Sequence, residues 1–214
     1  GYRAWIRNPD WGTTPTILYS MIRDHPESYR AQWVHATWMW QRGELEKARY
    51  HFELAYKIYP RDSQFLGDYG NFLLSDGQTE RAITILEESV SVHDYVPRTS
   101  TLLAYAYLTA RRFEDALRMA THAEKIGADR AHTLPIMAYA YDGIGDRNRA
   151  TAAWRVALRL TELTDWGTWS FFARTLAVSG YEDEALIAVA RARPFARDSA
   201  SRATVISLDN AIRS

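Results

Sequence analysis

Residues 29–62, YRAQWVHATWMWQRGELEKARYHFELAYKIYPRD, contain the pattern that decides the fold of this chain. With Tyr29 as position 1, the stretch is typical of one helical hairpin, with a turn glycine, Gly43, at position 15 and a small residue, Ala48, at position 20. The pattern returns over three further steps of 34 residues, and a fixed period of this length predicts stacked helical repeats. Ala48 recurs as Ala82, Ala116 and Ala150, and Ala36 at position 8 recurs as Gly70, Ala104 and Ala138.

The same register divides the rest of the chain. Residues 13–28 have the spacing of the second helix of a hairpin whose first helix is missing, so we interpret them as a degenerate half-repeat. Residues 1–12 are interpreted as an irregular, aromatic lead-in. Residues 200–214 are predicted to form a capping helix, because the last repeat otherwise exposes the face meant for a neighbour. The five full units span 29–62, 63–96, 97–130, 131–164 and 166–199, with Asp165 as one extra residue.

This pattern resembles the tetratricopeptide repeat family over about residues 13–199. The family motif, W-x2-L-G-x2-Y followed by A, F and P, matches loosely at positions 4, 7, 8 and 11 and closely at 20, 24 and 27. His35 stands where leucine is usual and Arg111 where the turn glycine is usual, but the register continues through both. The resemblance implies an all-α fold, a right-handed α-solenoid of about five helical hairpins with an N-terminal half-repeat and a C-terminal capping helix.

The resemblance also implies a concave groove lined by the first helix of each unit, at positions 2, 5, 9, 12 and 13. Aromatic and arginine side chains interleaved with short polar ones suit a protein or an extended peptide as partner. The alternative is that several of these rings pack on neighbouring helices. The Lys and Asn set with which some family members bind acidic C-termini is not reproduced, so no chaperone-tail receptor is expected. The predicted partner-binding residues are Arg30, Trp33, Thr37, Trp40, Asn71, Arg98, Tyr105, His132, Tyr139 and Arg174, with Leu108, Thr109 and Asp142 among the other residues at these positions.

Tryptophan is concentrated at the N-terminal end, where five of the eight tryptophans fall in the first 40 residues. Trp5, Trp11 and Trp38 are candidates for an N-terminal docking surface, for a partner or for the headgroup region of a membrane. The alternative is that the irregular segment folds back and buries most of these rings. Trp38 and Trp40 are two residues apart on one helix, so they are expected to point to different sides and not to share a core.

A second resemblance concerns context and covers about the first 75 residues. The motif W-x2-N-x2-W, a helix that ends in DHP and the first full repeat resemble the junction in polytopic membrane glycosyltransferases, where the last membrane helix precedes an extracytoplasmic tetratricopeptide domain. The resemblance implies an extracytoplasmic, periplasmic position beside a membrane, with peripheral membrane contact. A cytoplasmic soluble adaptor is the alternative.

Composition and motif spacing exclude several classes of function. Lys+Arg and Asp+Glu balance at 26 each, which argues against a nucleic-acid partner. The chain has no cysteine, which excludes disulfides and thiolate metal sites. It has no apolar run long enough to span a bilayer, so no membrane-spanning helix is expected within it. The six histidines lack metal-site spacing, and His35 is interpreted as a core histidine. The carboxylate pair Glu87–Glu88 is interpreted as a solvated face. We therefore expect no enzyme, no metal, no cofactor and no small-molecule substrate.

Two hypotheses from different classes remain. The first is a non-catalytic scaffold, an accessory subunit that binds a partner within an extracytoplasmic membrane-associated complex. The second is the soluble lobe of a polytopic membrane glycosyltransferase, whose repeats recognise an acceptor protein. The first predicts that the groove or the tryptophan-rich end is covered by another chain, whereas the second predicts hydrophobic spans encoded upstream of Gly1.

Overall fold

The structure is a computed structural model that describes residues 20–160, 166–178 and 180–213. Every regular element within these ranges is helical, which confirms the all-α prediction. Residues 20–24 are helical, and the chain turns at 26–27 before the first full repeat. Eleven α-helices follow: α1 Tyr29–Gln41, α2 Leu45–Ile58, α3 Ser63–Ser75, α4 Thr79–Val92, α5 Pro97–Thr109, α6 Phe113–Lys125, α7 Arg130–Gly143, α8 Arg147–Leu160, α9 Trp166–Val178, α10 Glu182–Ala192 and α11 Ser199–Arg213.

Successive helices pair as hairpins, and the hairpins stack. Helix α1 packs on α2, α3 on α4, α5 on α6, α7 on α8 and α9 on α10. The stack continues because α4 also contacts α5 and α6 also contacts α7. The last helix, α11, packs on both helices of the fifth hairpin, in the place predicted for a cap. The structure is therefore the α-solenoid of helical hairpins that the 34-residue period predicts.

The turn inside each hairpin has one backbone geometry. The second residue after the end of the first helix has a positive φ in all five hairpins. The N–H of the residue that follows donates back to a carbonyl in the last turn of that helix, as from Glu44 to Met39 at 3.0 Å. Arg111 takes this conformation with φ 60°, although it has a side chain that disfavours it. The positive-φ residues are Gly43, Gly77, Arg111, Gly145 and Gly180, at steps of 34, 34, 34 and 35 residues.

Small residues let the two helices of each hairpin approach closely. The alanines at position 20, Ala48, Ala82, Ala116 and Ala150, are fully buried. At position 8 the second hairpin has Gly70, where a Cβ atom would lie 2.5 Å from Cγ of Leu86. The size of these residues thus sets the separation of the paired helices.

Side-chain caps mark the starts of α1, α3 and α7, the first helices of hairpins one, two and four. Ser28 accepts a hydrogen bond from the amide of Ala31, and Asp129 accepts one from that of Ala131. Asp62 accepts from the amides of Gln64 and Phe65 at 3.0 Å each. The Asp62 carboxylate also accepts a hydrogen bond of 2.9 Å from the hydroxyl of Tyr29, so it caps α3 and holds α1 against it.

The buried side chains form three core clusters along the stack. The first lies in hairpins one and two around Phe52 and Tyr69, and the second joins α4 to α5, α6 and α7 around Leu103. The third contains Trp154 and Phe172 and extends to Val205 of α11. Each cluster spans more than one hairpin, so the packing between neighbouring repeats forms much of the core.

One expectation about the first helix is wrong. Trp38 and Trp40 have different ring neighbours: Trp38 lies near His35 and under the guanidinium of Arg42, whereas Trp40 meets phenylalanines. Both rings are half-buried and both pack against the first core cluster. They share a core because α1 is covered on two sides, by its own hairpin partner and by the next hairpin.

Candidate functional site

The first helix of each hairpin contributes to one continuous surface along the stack, because α1 contacts α3, α3 contacts α5 and α5 contacts α7. We call the surface that the first helices present the groove. Most of the predicted partner-binding residues lie on these four helices, and Arg174 lies on α9.

A polar connection crosses the N-terminal half of the groove. The indole N–H of Trp33 on α1 donates to Asp68 on α3 at 3.1 Å, and Nη1 of Arg98 on α5 donates to the other oxygen of that carboxylate at 2.7 Å. Asp68 therefore joins three successive repeats, and the charge of Arg98 is already compensated. Asp68 was not predicted from the sequence. It is not one of the groove positions, and its two hydrogen-bond partners, Trp33 and Arg98, lie in the repeats before and after its own.

The tryptophans of the groove are largely structural. The ring of Trp33 lies edge-on to Phe65 at 5.9 Å, and the ring of Trp40 lies edge-on to Phe72 at 5.7 Å. Both are half-buried and pack against the first core cluster. For these two residues the structure favours the alternative interpretation, in which the rings pack on neighbouring helices.

An open cleft lies farther along the groove, between α5 and α7. It has a volume of about 720 Å³, and we call it the tyrosine cleft. Tyr105 of α5 is 51% exposed at this cleft, and Tyr139 of α7 is half-buried with its ring 4.7 Å from that of Trp154. The structure thus brings together two of the predicted binding residues. The residues that line the cleft include Tyr105, Leu108, Arg111, Phe113, Tyr139 and Asp142.

A glycine without a Cβ atom and a residue with positive φ shape the tyrosine cleft. Gly143, at the end of α7, faces the ring of Phe113, where a Cβ atom would lie 2.6 Å from three ring carbons. Glycine is therefore needed for Phe113 to lie against α7. Arg111 reaches the cleft from the positive-φ turn, with its guanidinium 5.9 Å from the centre of the Phe113 ring. Phe113 was not predicted as a groove residue, because it belongs to the second helix of its hairpin.

A second open cleft, also of about 720 Å³, lies between α9 and the capping helix α11. Arg174 lines it together with Val178 and Leu208. This places Arg174 at the C-terminal end of the groove, apart from the tyrosine cleft.

The other predicted residues are spread along the surface. Arg30 is exposed and donates to the hydroxyl of Tyr29 at 3.0 Å, while the Thr37 hydroxyl donates to the carbonyl of Trp33. Asn71 is half-buried, and His132 is exposed at the start of α7. Trp5 and Trp11 lie outside the described residues, so the N-terminal docking surface that includes Trp38 stays a prediction.

The paired glutamates of α4, Glu87 and Glu88, accept hydrogen bonds from tyrosines of the neighbouring hairpins. The Tyr56 hydroxyl donates to Glu88 at 2.8 Å, and the Tyr107 hydroxyl donates to Glu87 at 2.5 Å. Burial, reinforced by the bond to Glu87, raises the pKa of Tyr107 to about 12. The interpretation of this pair as a plain solvated face was therefore incomplete.

A histidine pair lies inside the first hairpin. His35 of α1 is buried, with its ring 4.4 Å from that of His51 on α2, as expected for a core histidine. Burial lowers the pKa of both rings, and burial together with the neighbouring His35 lowers that of His51 to about 4. Nδ1 of His51 lies 2.6 Å from the amide oxygen of Gln32, whose amide nitrogen donates to the carbonyl of Pro26.

Across the part of the chain that the structure describes, no three His, Asp or Glu side chains converge as a metal site. Within the same residues, no helix is long and apolar enough to cross a bilayer.

The comparisons with known proteins agree with the geometry. Residues 30–93 match the model of the family described as YpiA-like, C-terminal tetratricopeptide repeats. The matched segment covers the first two hairpins, and its similarity to tetratricopeptide repeats agrees with the 34-residue period of the sequence. No curated protein sequence matches the chain.

Solved structures share the fold over three quarters of the chain or more. A thermophilic TPR protein from Thermus thermophilus, TTC0263, is 23% identical over 85% of this chain and 98% of its own, with a TM-score of 0.69. PilW, a widely conserved type IV pilus biogenesis factor, is 14% identical over 95% of this chain and 94% of its own, with a TM-score of 0.76. YrrB, a TPR protein with an unusual peptide-binding site, is 18% identical over 75% and 81%, with a TM-score of 0.56. The chain therefore has the tetratricopeptide-repeat fold.

Proposed function

We propose that this chain is a non-catalytic scaffold that binds an extended segment of a partner protein in its groove. The observation that carries the proposal is the tyrosine cleft, an open cavity of about 720 Å³ between two helices of the array. Its aromatic walls belong to helices that are already packed in the array, so the backbone of this chain loses little conformational entropy when a partner segment binds there. Tyrosines held in this way are typical of the residues that dominate the affinity of protein interfaces.

The related folds support this function. YrrB is described as having a peptide-binding site, and PilW as a factor in pilus biogenesis. These descriptions concern those proteins. They support the proposal because a similar stack of helical hairpins carries a peptide-binding site in one of them.

We further propose that the partner belongs to an extracytoplasmic, membrane-associated complex in which this chain is an accessory subunit. The support is the tryptophan-rich N-terminal stretch and its resemblance to a membrane-proximal junction. Cross-linking mass spectrometry on gently solubilised native membranes tests it. Cross-links from Lys47 and Lys57 to subunits of one complex are expected. Cross-links only to membrane segments of its own precursor would favour the glycosyltransferase lobe, and absence from membranes would leave a soluble adaptor.

The groove is tested with the partner found by cross-linking and the variant Tyr105→Ala. Because Tyr105 is 51% exposed, its removal should leave the helical content unchanged while affinity falls at least about tenfold. Tyr50→Ala is the matched control, since Tyr50 is 62% exposed on α2, the second helix of its hairpin and outside the groove. This variant should bind the partner with the same affinity as the unmodified protein. Trp33 and Trp40 are unsuitable for this test because they pack against the core.

Equal affinity of the Tyr105→Ala variant and the unmodified protein would contradict binding at the tyrosine cleft. A loss of affinity in Tyr50→Ala alone would place the interface on the second helices instead.

A further inference from the structure

Asp142 in the tyrosine cleft differs from the other half-buried carboxylates of the described residues. Its side chain has no hydrogen bond and no ion pair within the part of the chain that the structure describes, and it lies half-buried on α7 at the edge of the cleft. A carboxylate that loses part of its hydration normally has a partner, because desolvation of an unpaired charge is unfavourable. Elsewhere in the described ranges every half-buried carboxylate has such a partner, as Asp76 has Arg49, Asp115 has Arg112 and Glu124 has Thr133.

The surroundings of Asp142 suit a cation. Tyr139 lies three residues earlier on α7, which places both side chains on one face of the helix. Tyr105 faces them from α5 across the cleft, and Phe113 supplies a third aromatic side chain. The faces of aromatic rings attract ammonium and guanidinium groups, most strongly where water is excluded. An open carboxylate beside these rings adds the opposite charge.

We propose that the tyrosine cleft binds a lysine or arginine side chain from an extended segment of a partner protein, with Asp142 as its ion-pair partner and the tyrosines as its walls. This inference rests on the proposed function, because it names the chemistry of the segment that the groove binds. An apolar side chain in the same place would bury the carboxylate further without a partner, and an acidic one would be repelled by it.

Arg111 also lines the cleft, but it does not fill this role. Its backbone is held in the positive-φ turn and its guanidinium lies by the ring of Phe113, where it forms no ion pair with Asp142. Arg111 is a second cation near the bound one, so it weakens the attraction for a basic ligand. Its replacement by glycine, which suits the turn, is therefore expected to tighten binding of a basic peptide about two- to fivefold.

The test uses phage-displayed random peptides of about 12 residues, long enough to span the cleft in an extended conformation, selected on the full chain, on Asp142→Asn and on Asp94→Asn. The first substitution keeps the shape of the aspartate side chain and removes its charge. Asp94 is an exposed aspartate in the connection between α4 and α5, outside the cleft, and supplies the matched control. Peptides with a basic residue at one fixed position should be enriched on the full chain and on Asp94→Asn, but not on Asp142→Asn.

A selected peptide is then measured by fluorescence polarisation, with its basic residue as arginine and as citrulline, the neutral analogue of the same shape. Citrulline should weaken binding to the full chain at least about tenfold, but binding to Asp142→Asn by only about two- to fivefold, because the aromatic rings still attract the guanidinium group in that variant. Equal loss on both proteins, or enrichment of peptides without a basic residue, would contradict the cation site and leave the groove as a peptide site. If no peptide is enriched on any of the three proteins, groove binding itself is contradicted.

Discussion

Among the residues that the structure describes, Arg111 is the one with a side chain whose φ is positive. Four of the five hairpin turns have glycine at the positive-φ position, and the third has Arg111 with φ 60°. An L-residue with a side chain loses roughly 1–2 kcal/mol in this conformation. Glycine has more freedom in the unfolded chain, which offsets part of the gain. We expect Arg111→Gly to raise the free energy of unfolding by about 1 kcal/mol in urea denaturation followed by circular dichroism.

The neighbouring position supplies the control for this prediction. Ala110 has φ −77°, an ordinary value for alanine, so Ala110→Gly should lower the free energy of unfolding rather than raise it. A gain of the same size in both variants would point to a general effect of glycine near the turn. No gain in Arg111→Gly would show that the contact between the guanidinium and Phe113 offsets the backbone strain.

We expect the stability of the first hairpin to depend on pH, because the histidines packed between α1 and α2 have lowered pKa values. Because burial lowers the pKa of His51 to about 4 from its ordinary 6.5, the folded chain binds fewer protons than the unfolded chain between these values. Its free energy of unfolding should therefore be fully present above about pH 6.5 and fall as the pH drops toward about 4. Since the ring keeps part of its contact with solvent, we expect a loss of about 1–2 kcal/mol, measured by urea unfolding with tryptophan fluorescence.

Replacement of the half-buried His51 should remove the larger part of this dependence, while His35, whose pKa is also lowered by burial, stays in place. His51→Gln keeps a polar side chain near Gln32, but this side chain does not titrate. The free energy of unfolding of the variant should therefore change less between about pH 7 and about pH 4.5 than that of the unmodified protein. His132→Gln, at an exposed position of α7, should retain the full loss. If His51→Gln loses as much stability as the unmodified protein, the dependence arises in another part of the array.

The helices and their order could be predicted from the sequence, whereas the polar contacts between them could not. The small residues at positions 8 and 20 and the turn at position 15 fix the helices, because each acts within one hairpin. The partners of Asp68, Glu87 and Glu88 come from neighbouring hairpins, and the period does not tell which way a long side chain turns. The candidate site was predicted in part for this reason: Tyr105 and Tyr139 follow from the register, but Phe113 comes from a second helix.

Over the whole molecule, the core is a chain of clusters that adjoin one another. The first cluster occupies hairpins one and two, and the third occupies hairpins four and five with the capping helix. In such an array each repeat is stabilised mainly by its neighbours, so local damage propagates only as far as the interfaces that it weakens. The tyrosine cleft lies between the two ends, at the interface of hairpins three and four.

The capping helix is therefore expected to control the stability of the C-terminal end of the array, whose core it shares, and not that of the first two hairpins. Val205 of α11 is 1% exposed within the third cluster, and Val205→Asp would put an unpaired carboxylate there. Hydrogen exchange of α9 and α10 amides should accelerate at least about tenfold, while that of α1 to α4 stays unchanged. Ile206→Asp, at a 56% exposed neighbour, should change neither. Equal acceleration in α1 to α4 after Val205→Asp would contradict this independence, because it requires the whole array to open as one cooperative unit.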